Sequence, residues 1–135
     1  MAEALQPATA RGEATRQKLL EAAELEFGER GFHGASVSSI TRRAGVGQGT
    51  FYLYFQSKEE VLRALVKGMG AELRRALSFA TKGMGDRLEV ERAGLAAFVS
   101  FSLTHTNLYR VVMESQFVDE AIYRDYYETL ATAYS

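Results

Sequence analysis

A chain of 135 residues with 47% hydrophobic and 24% charged content has the make-up of one ordinary globular unit with a real core, and leaves little room for two full domains. Sixteen Lys and Arg against seventeen Asp and Glu give a net charge of −1, which excludes a polycation that coats nucleic acid, so any charged partner must be met by a local patch. The absence of Cys removes disulfides, thiolate nucleophiles, iron–sulfur clusters and cysteine-rich zinc modules. One Pro, no long apolar run and no signal-peptide core near Met1 exclude collagen-like and membrane-spanning chains and predict a cytoplasmic protein. Residues 1–12 lack periodicity and read as a flexible arm, with order expected from Glu13.

From residue 15 to residue 29, Leu19, Leu20, Ala23 and Phe27 recur at helical spacing, with Arg16, Lys18, Glu24 and Glu26 assigned to the outer face. Gly31 suits the left-handed position after a helix, and Phe32 is placed to fold back over its last turn. Ser36 then caps a brief helix carrying Val37, Ile40 and Ala44, which Gly45 ends. A second short helix is expected from Gln48 to Phe55. Two short helices around a glycine turn form a helix-turn-helix candidate.

Ser57 stands three residues before Glu60, the capping-box spacing, and a long helix follows through Val61, Leu62, Leu65, Met69, Leu73 and Leu77 to the break at Lys82-Gly83-Met84-Gly85. Gly68 and Gly70 inside it predict a bend or a close helix contact. A further helix from Asp86 to about His105 has a wide apolar arc, as for a helix surrounded by others, with Asn107 as its expected breaker. Two more helices, from Leu108 to about Ser115 and from Asp119 onward, complete an all-α chain without strand patterns.

Residues 31–58 contain no Asp or Glu and hold Arg42, Arg43 and Lys58, whereas both flanks are acid-rich. Phosphate contact needs such a local bias. In the second short helix Phe51 and Phe55 share a face and read as core, leaving the Tyr52 and Tyr54 hydroxyls for phosphate oxygens. Gly45, Gly47 and Gly49 keep the turn open to a close backbone approach. The Gly45-x-Gly47 pair lacks the preceding strand and third glycine of a dinucleotide site.

The run from Ser36 to Lys58, with Ile40, Arg42-Arg43-Ala44-Gly45-Val46, Gly49, Tyr52, Tyr54-Phe55 and Lys58 in order, resembles the TetR family of bacterial transcriptional regulators. The resemblance covers residues 13–62 well; residues 63–135 share only the helical layout. It implies a three-helix DNA-binding head at 13–57 and a helical ligand-binding and dimerisation domain at 58–135. The helix from Gln48 would enter the major groove, with Gln48, Thr50 and Leu53 as candidates for base edges and the Gly49 backbone beside them. Ser36, Arg43, Tyr52, Tyr54 and Lys58 are the phosphate candidates, with Arg42 as a further DNA contact. Arg11 and Arg16 are additional cations near the arm.

In the second half, Phe98, Phe101, His105, Tyr109, Met113 and Tyr126 are the candidates for an inducer pocket that is mostly apolar with a few polar groups. Packing alone is the simpler reading for any one of them. The expected partners are an operator duplex, a small apolar or amphipathic effector and a second copy of the chain, with no membrane, metal or cofactor. Ligand-relieved repression is the default that the resemblance implies. Thr41, Gly47 and Ser39 depart from the family's usual Ala, Ser and acidic residue. Two long C-terminal helices of the family's dimer bundle have no counterpart, so the regulatory domain reads as incomplete. The alternative function is a helical interaction module with a degenerate head that pairs with a full-length partner. Catalysis is the weakest reading, because no nucleophile–base pair or metal cluster is visible.

Overall fold

A computed structural model of the chain describes residues 9–133, in which helices are the only regular elements. They are α1 (Ala10–Gly34), α2 (Val37–Ala44), α3 (Gln48–Tyr54), α4 (Lys58–Thr81), α5 (Arg87–Thr104), α6 (Thr106–Ser115) and α7 (Glu120–Ala133). The all-α expectation holds. Residues 1–8 of the expected arm lie outside the described residues, but its last part is helix. The Thr9 hydroxyl accepts the Gly12 N–H at 3.0 Å and starts α1 at Ala10, earlier than the apolar period suggested.

Near its end α1 breaks at Gly31, with φ 76° and ψ 167°, a region essentially restricted to glycine. The break turns Phe32 back so that its ring lies 5.3 Å from that of Phe27, as the sequence predicts. Gly31→Ala is expected to cost about 1–3 kcal/mol through backbone strain. Gly68, inside α4 with open space where a Cβ would stand, is the contrast: Gly68→Ala is expected to stabilise by about 1 kcal/mol. Urea unfolding of the two variants checks both signs.

The Ser36 hydroxyl accepts the Ser39 N–H and the Ser39 hydroxyl accepts the Ser36 N–H, each at 2.9 Å. Ser39 thus closes the capping box without an acidic side chain. At α4, the Ser57 hydroxyl accepts the Glu60 N–H at 3.2 Å, while the Glu60 carboxylate reaches past the cap to the Gln56 N–H at 2.9 Å. Gly70 packs against α7, where a Cβ would stand at the ordinary contact distance of 3.6 Å from the Tyr126 ring, and α4 runs on without a break, so neither glycine is required by a bend or an unusually close approach.

Leu19, Ala23 and Phe27 of α1, Ile40 of α2, Phe51 within α3 and Phe55 just after it, and Val61 and Leu62 of α4 form one part of the core. It continues along α4 through Met69 and Leu73 to Phe101, Val111, Val112, Ile122 and Tyr126. The α4 helix touches α1, α5, α6 and α7, and α1 also packs against α6.

Two readings are corrected in the second half. Helix α5 is not surrounded: it packs mainly on α4, and Leu88, Val99, Leu95 (63% exposed) and Leu103 (73%) face outward. The α5–α6 break falls at His105, with φ −116° and ψ 50°, while Asn107 lies within α6. No helix of the described residues is long and apolar enough to cross a membrane.

Candidate nucleic-acid interface

The α2–α3 turn is made by Gly45 in the left-handed conformation, φ 74° and ψ 30°, followed by the Val46 N–H donating to the Thr41 carbonyl at 3.1 Å. Gly47 precedes α3 without a side-chain cap. Phe51 and Phe55, with ring centroids 5.8 Å apart, anchor α3 to the core as their spacing predicts. The opposite face therefore points to solvent. Gln48 and Gly49 are exposed, as are Tyr52 (53%) and Leu53 (50%) one turn on. Thr50 and Tyr54 are half-buried, and Tyr54 packs against the core.

The basic candidates separate. Arg42 is exposed beside Ser38, 3.5 Å from its hydroxyl. Arg43 is turned back onto α1, its Nε donating to Glu26 Oε2 at 2.7 Å and its Nη2 to Glu29 Oε2 at 2.6 Å. Lys58 Nζ donates to the Phe32 carbonyl at 2.8 Å and the Ala35 carbonyl at 3.0 Å, above the Phe32 ring. The Ser36 hydroxyl serves α2 as its cap. Three cations without a local acid therefore do not give three open positive charges, because acids and carbonyls from other segments fold onto two of them. Arg16 stands 5.3 Å over the Phe55 ring, at the edge of the same unit.

Glu26 is the residue that pattern reading misplaced. It occupies the inner stripe with Leu19, Ala22, Ala23 and Phe27 and is only 2% exposed. Arg30 approaches its other oxygen at 3.1 Å. Burial alone would raise its carboxyl, but hydrogen bonds from Ser39 and Arg43 and the charges of Arg30 and Arg43 outweigh this and hold it below the ordinary value of 4.5. In the acid range the unfolded chain then binds more protons than the folded one. The stabilisation from Glu26 is present above pH 4.5 and is lost as pH falls through the depressed folded value. Denaturant unfolding between about pH 3 and 6 is expected to show a steeper acid loss for the parent than for Glu26→Gln.

The six pocket candidates do not converge on one cavity. Phe101 is buried and stacks on His105 at 4.2 Å, and His105 Nδ1 lies 3.0 Å from the Phe101 carbonyl oxygen. The other His105 nitrogen stands 3.9 Å from Glu72, near Glu24, whose carboxyl is raised by burial against the lowering effect of His105. Phe98, Tyr109 and Met113 are partly buried against the core. Tyr126 is buried with its hydroxyl unpaired among the described residues, and burial followed by the nearby Tyr109 pushes its phenol up. Of the six, only Tyr126 lines the cleft of about 280 Å³ between α4 and α7, beside Val66, Gly70 and Ile122.

A sequence model of bacterial regulatory proteins of the tetR family matches residues 19–65. The chain is similar to an uncharacterised helix-turn-helix regulator of Bacillus subtilis, YdgC, with 46% identity over 65 residues, which are 48% of this chain and 33% of the relative. It is also similar to the transcriptional activator FasR of Mycolicibacterium smegmatis, with 35% identity over 109 residues, 78% of this chain and 48% of the relative. A solved TetR-like regulator from Rhodococcus sp. RHA1 superposes with a TM-score of 0.78 at 27% identity, over 94% of this chain and 67% of that one. The chain spans a third of YdgC and about half of FasR.

Proposed function

We infer, because its head makes this chain a member of the tetR family of bacterial regulatory proteins, that it is a sequence-specific DNA-binding regulator of transcription. The observation that carries this reading is the outer face of α3. Gln48, Gly49, Tyr52 and Leu53 are exposed together on a helix whose other side is fixed by Phe51 and Phe55. A polar amide with two hydrogen-bonding ends, a bare backbone, a phenol and a half-exposed Leu suit a major groove better than water. In this reading Gln48, Thr50 and Leu53 face base edges. Tyr52, Tyr54, Arg42 and Ser36 line the phosphates. Arg43 and Lys58 take positional roles instead, holding α2 to α1 and the α1–α2 corner to α4.

Residues 58–135 serve as the regulatory part, whose effector is a small apolar or amphipathic molecule held beside Tyr126 in the α4–α7 cleft. The Tyr126 hydroxyl, unpaired among the described residues, supports a polar contact for such a molecule. A homodimer would present two copies of α3 to half-sites about 34–36 Å apart, and effector binding would change that separation through α4. Repression relieved by effector is the proposed sign, although FasR is named an activator. A promoter fusion decides it, with expression rising on deletion if the chain represses.

Fluorescence anisotropy on the upstream DNA across a salt series tests the reading. Tyr52→Phe is expected to weaken binding to all sequences alike, whereas Gln48→Ala is expected to change the ranking of sequences by about 1–3 kcal/mol at one position. Unchanged ranking in Gln48→Ala would remove the direct contact assigned to that side chain.

A further inference from the structure

The end of α1 is gripped by two other helices. In an unbroken helix the Phe32 N–H would bond the Gly28 carbonyl. At the Gly31 break the Phe32 N–H instead donates to Glu114 Oε1 of α6 at 2.7 Å, and the Gly28 carbonyl accepts from Arg110 Nη1 of α6 at 2.9 Å. Arg110 and Glu114 are four residues apart on one face of α6, and Asn107, three residues before Arg110, lies on the same face. Asn107 packs on Gly28 so closely that a Cβ there would stand 2.9 Å from its Cγ. A Cβ on Gly31 would meet Glu114 Oε1 at 3.4 Å. One face of α6 therefore fits the broken turn, with an acceptor for its freed donor and a donor for its freed acceptor.

The same residue is held from the other side. The Phe32 carbonyl accepts from Lys58 at the first turn of α4, so N–H and C=O of one residue are tied to two different helices of the second half. The carbonyls of Phe32 and Ala35 lie on the corner that leads directly into α2 and α3. A shift of α4 against α6 larger than the Lys58 and Glu114 side chains can follow pulls this corner with it, because hydrogen bonds weaken steeply when stretched or bent.

We propose that Glu114 and Arg110 are positioning residues that couple α6 to the α2–α3 unit through the backbone at Phe32, so that the orientation of α3 reports the placement of α6 relative to α4. This rests on the DNA-binding reading only for what the positioned unit does. The coupling itself is a property of the chain and is measured without DNA.

Because the chain has no Cys, spin labels at Gln48→Cys on α3 and Leu95→Cys on α5 report one distance by pulsed dipolar spectroscopy, with labelled chain diluted in unlabelled chain. Glu114→Ala is expected to broaden or displace the distance distribution while circular dichroism shows the helices intact. Glu114→Gln, whose amide oxygen still accepts the Phe32 N–H, is expected to retain the parent distribution. Arg110→Met, which loses only the Gly28 tie, is expected to broaden it less and serves as the readout if Glu114→Ala does not fold. A parent-like distribution in the folded Glu114→Ala chain, or in Arg110→Met where that chain does not fold, overturns the proposal. Binding of the unlabelled, unsubstituted chain to DNA is scored separately: a coupled chain that binds no DNA would retain the coupling and refute the function.

Discussion

Phe51→Ala is expected to lose about 3–5 kcal/mol of folding stability, a large share of what a chain of this size possesses. Phe51 is fully buried, its ring 5.8 Å from that of Phe55, on a helix of only seven residues. So short a helix has no independent stability in water and keeps its shape because its apolar side is held. The truncation leaves a cavity beneath α3 that the turn at Gly45 and the break at Gly31 give little freedom to close. Thermal unfolding by circular dichroism and DNA affinity should fall together, since the exposed face carrying Gln48 and Tyr52 is held in place by the buried one. Retained affinity in a chain that has lost several kcal/mol would show that α3 is ordered by something other than this contact.

Lys58→Met is expected to cost about 1–3 kcal/mol, because two partly buried carbonyls, those of Phe32 and Ala35, lose their donor while the aliphatic stem is preserved. The favourable placement of the ammonium over the Phe32 ring, 4.4 Å from its centroid, disappears as well. A lysine that served only to meet phosphate would behave in the opposite way. Its loss would reduce DNA affinity and the steepness of the salt dependence by about one counterion, leaving the unfolding midpoint unchanged. Denaturant unfolding and a salt series on the same variant therefore separate the two roles. An unaltered midpoint with a reduced salt slope would restore Lys58 to the phosphate contacts.

The parts of the fold that were legible in the sequence are those written in local chemistry. Ser36 as cap, Gly45 as left-handed turn residue and Phe51 with Phe55 as one buried side are each set by neighbours within a few positions, and the structure has them so. The outer face of α3 followed from the same spacing. The intramolecular contacts of Arg43 and Lys58 were not legible because their partners lie far along the chain: Glu26 and Glu29 precede Arg43 by 17 and 14 residues, and the Phe32 and Ala35 carbonyls precede Lys58 by 26 and 23. Glu26 was assigned to solvent because it is charged, although its position in the 19, 22, 23, 26, 27 series is an inner one. A carboxylate within an apolar stripe is a signal for a cation partner, and Arg43 supplies it. The wide apolar arc of α5 was taken for burial on all sides, yet periodicity records what a helix could cover and not what covers it. Nor does aromatic content define a pocket: Phe101, His105 and Tyr126 belong to different packing environments, and only Tyr126 borders the α4–α7 cleft.

The exposed face of α3 is assigned to reading DNA sequence, and selection of bound duplexes from a random pool with the purified chain tests that assignment most directly. An enriched motif is expected, with affinity that falls as salt rises and a motif position that Gln48→Ala alters. A pool that remains random after repeated rounds, with no salt-sensitive affinity for any duplex, would contradict it.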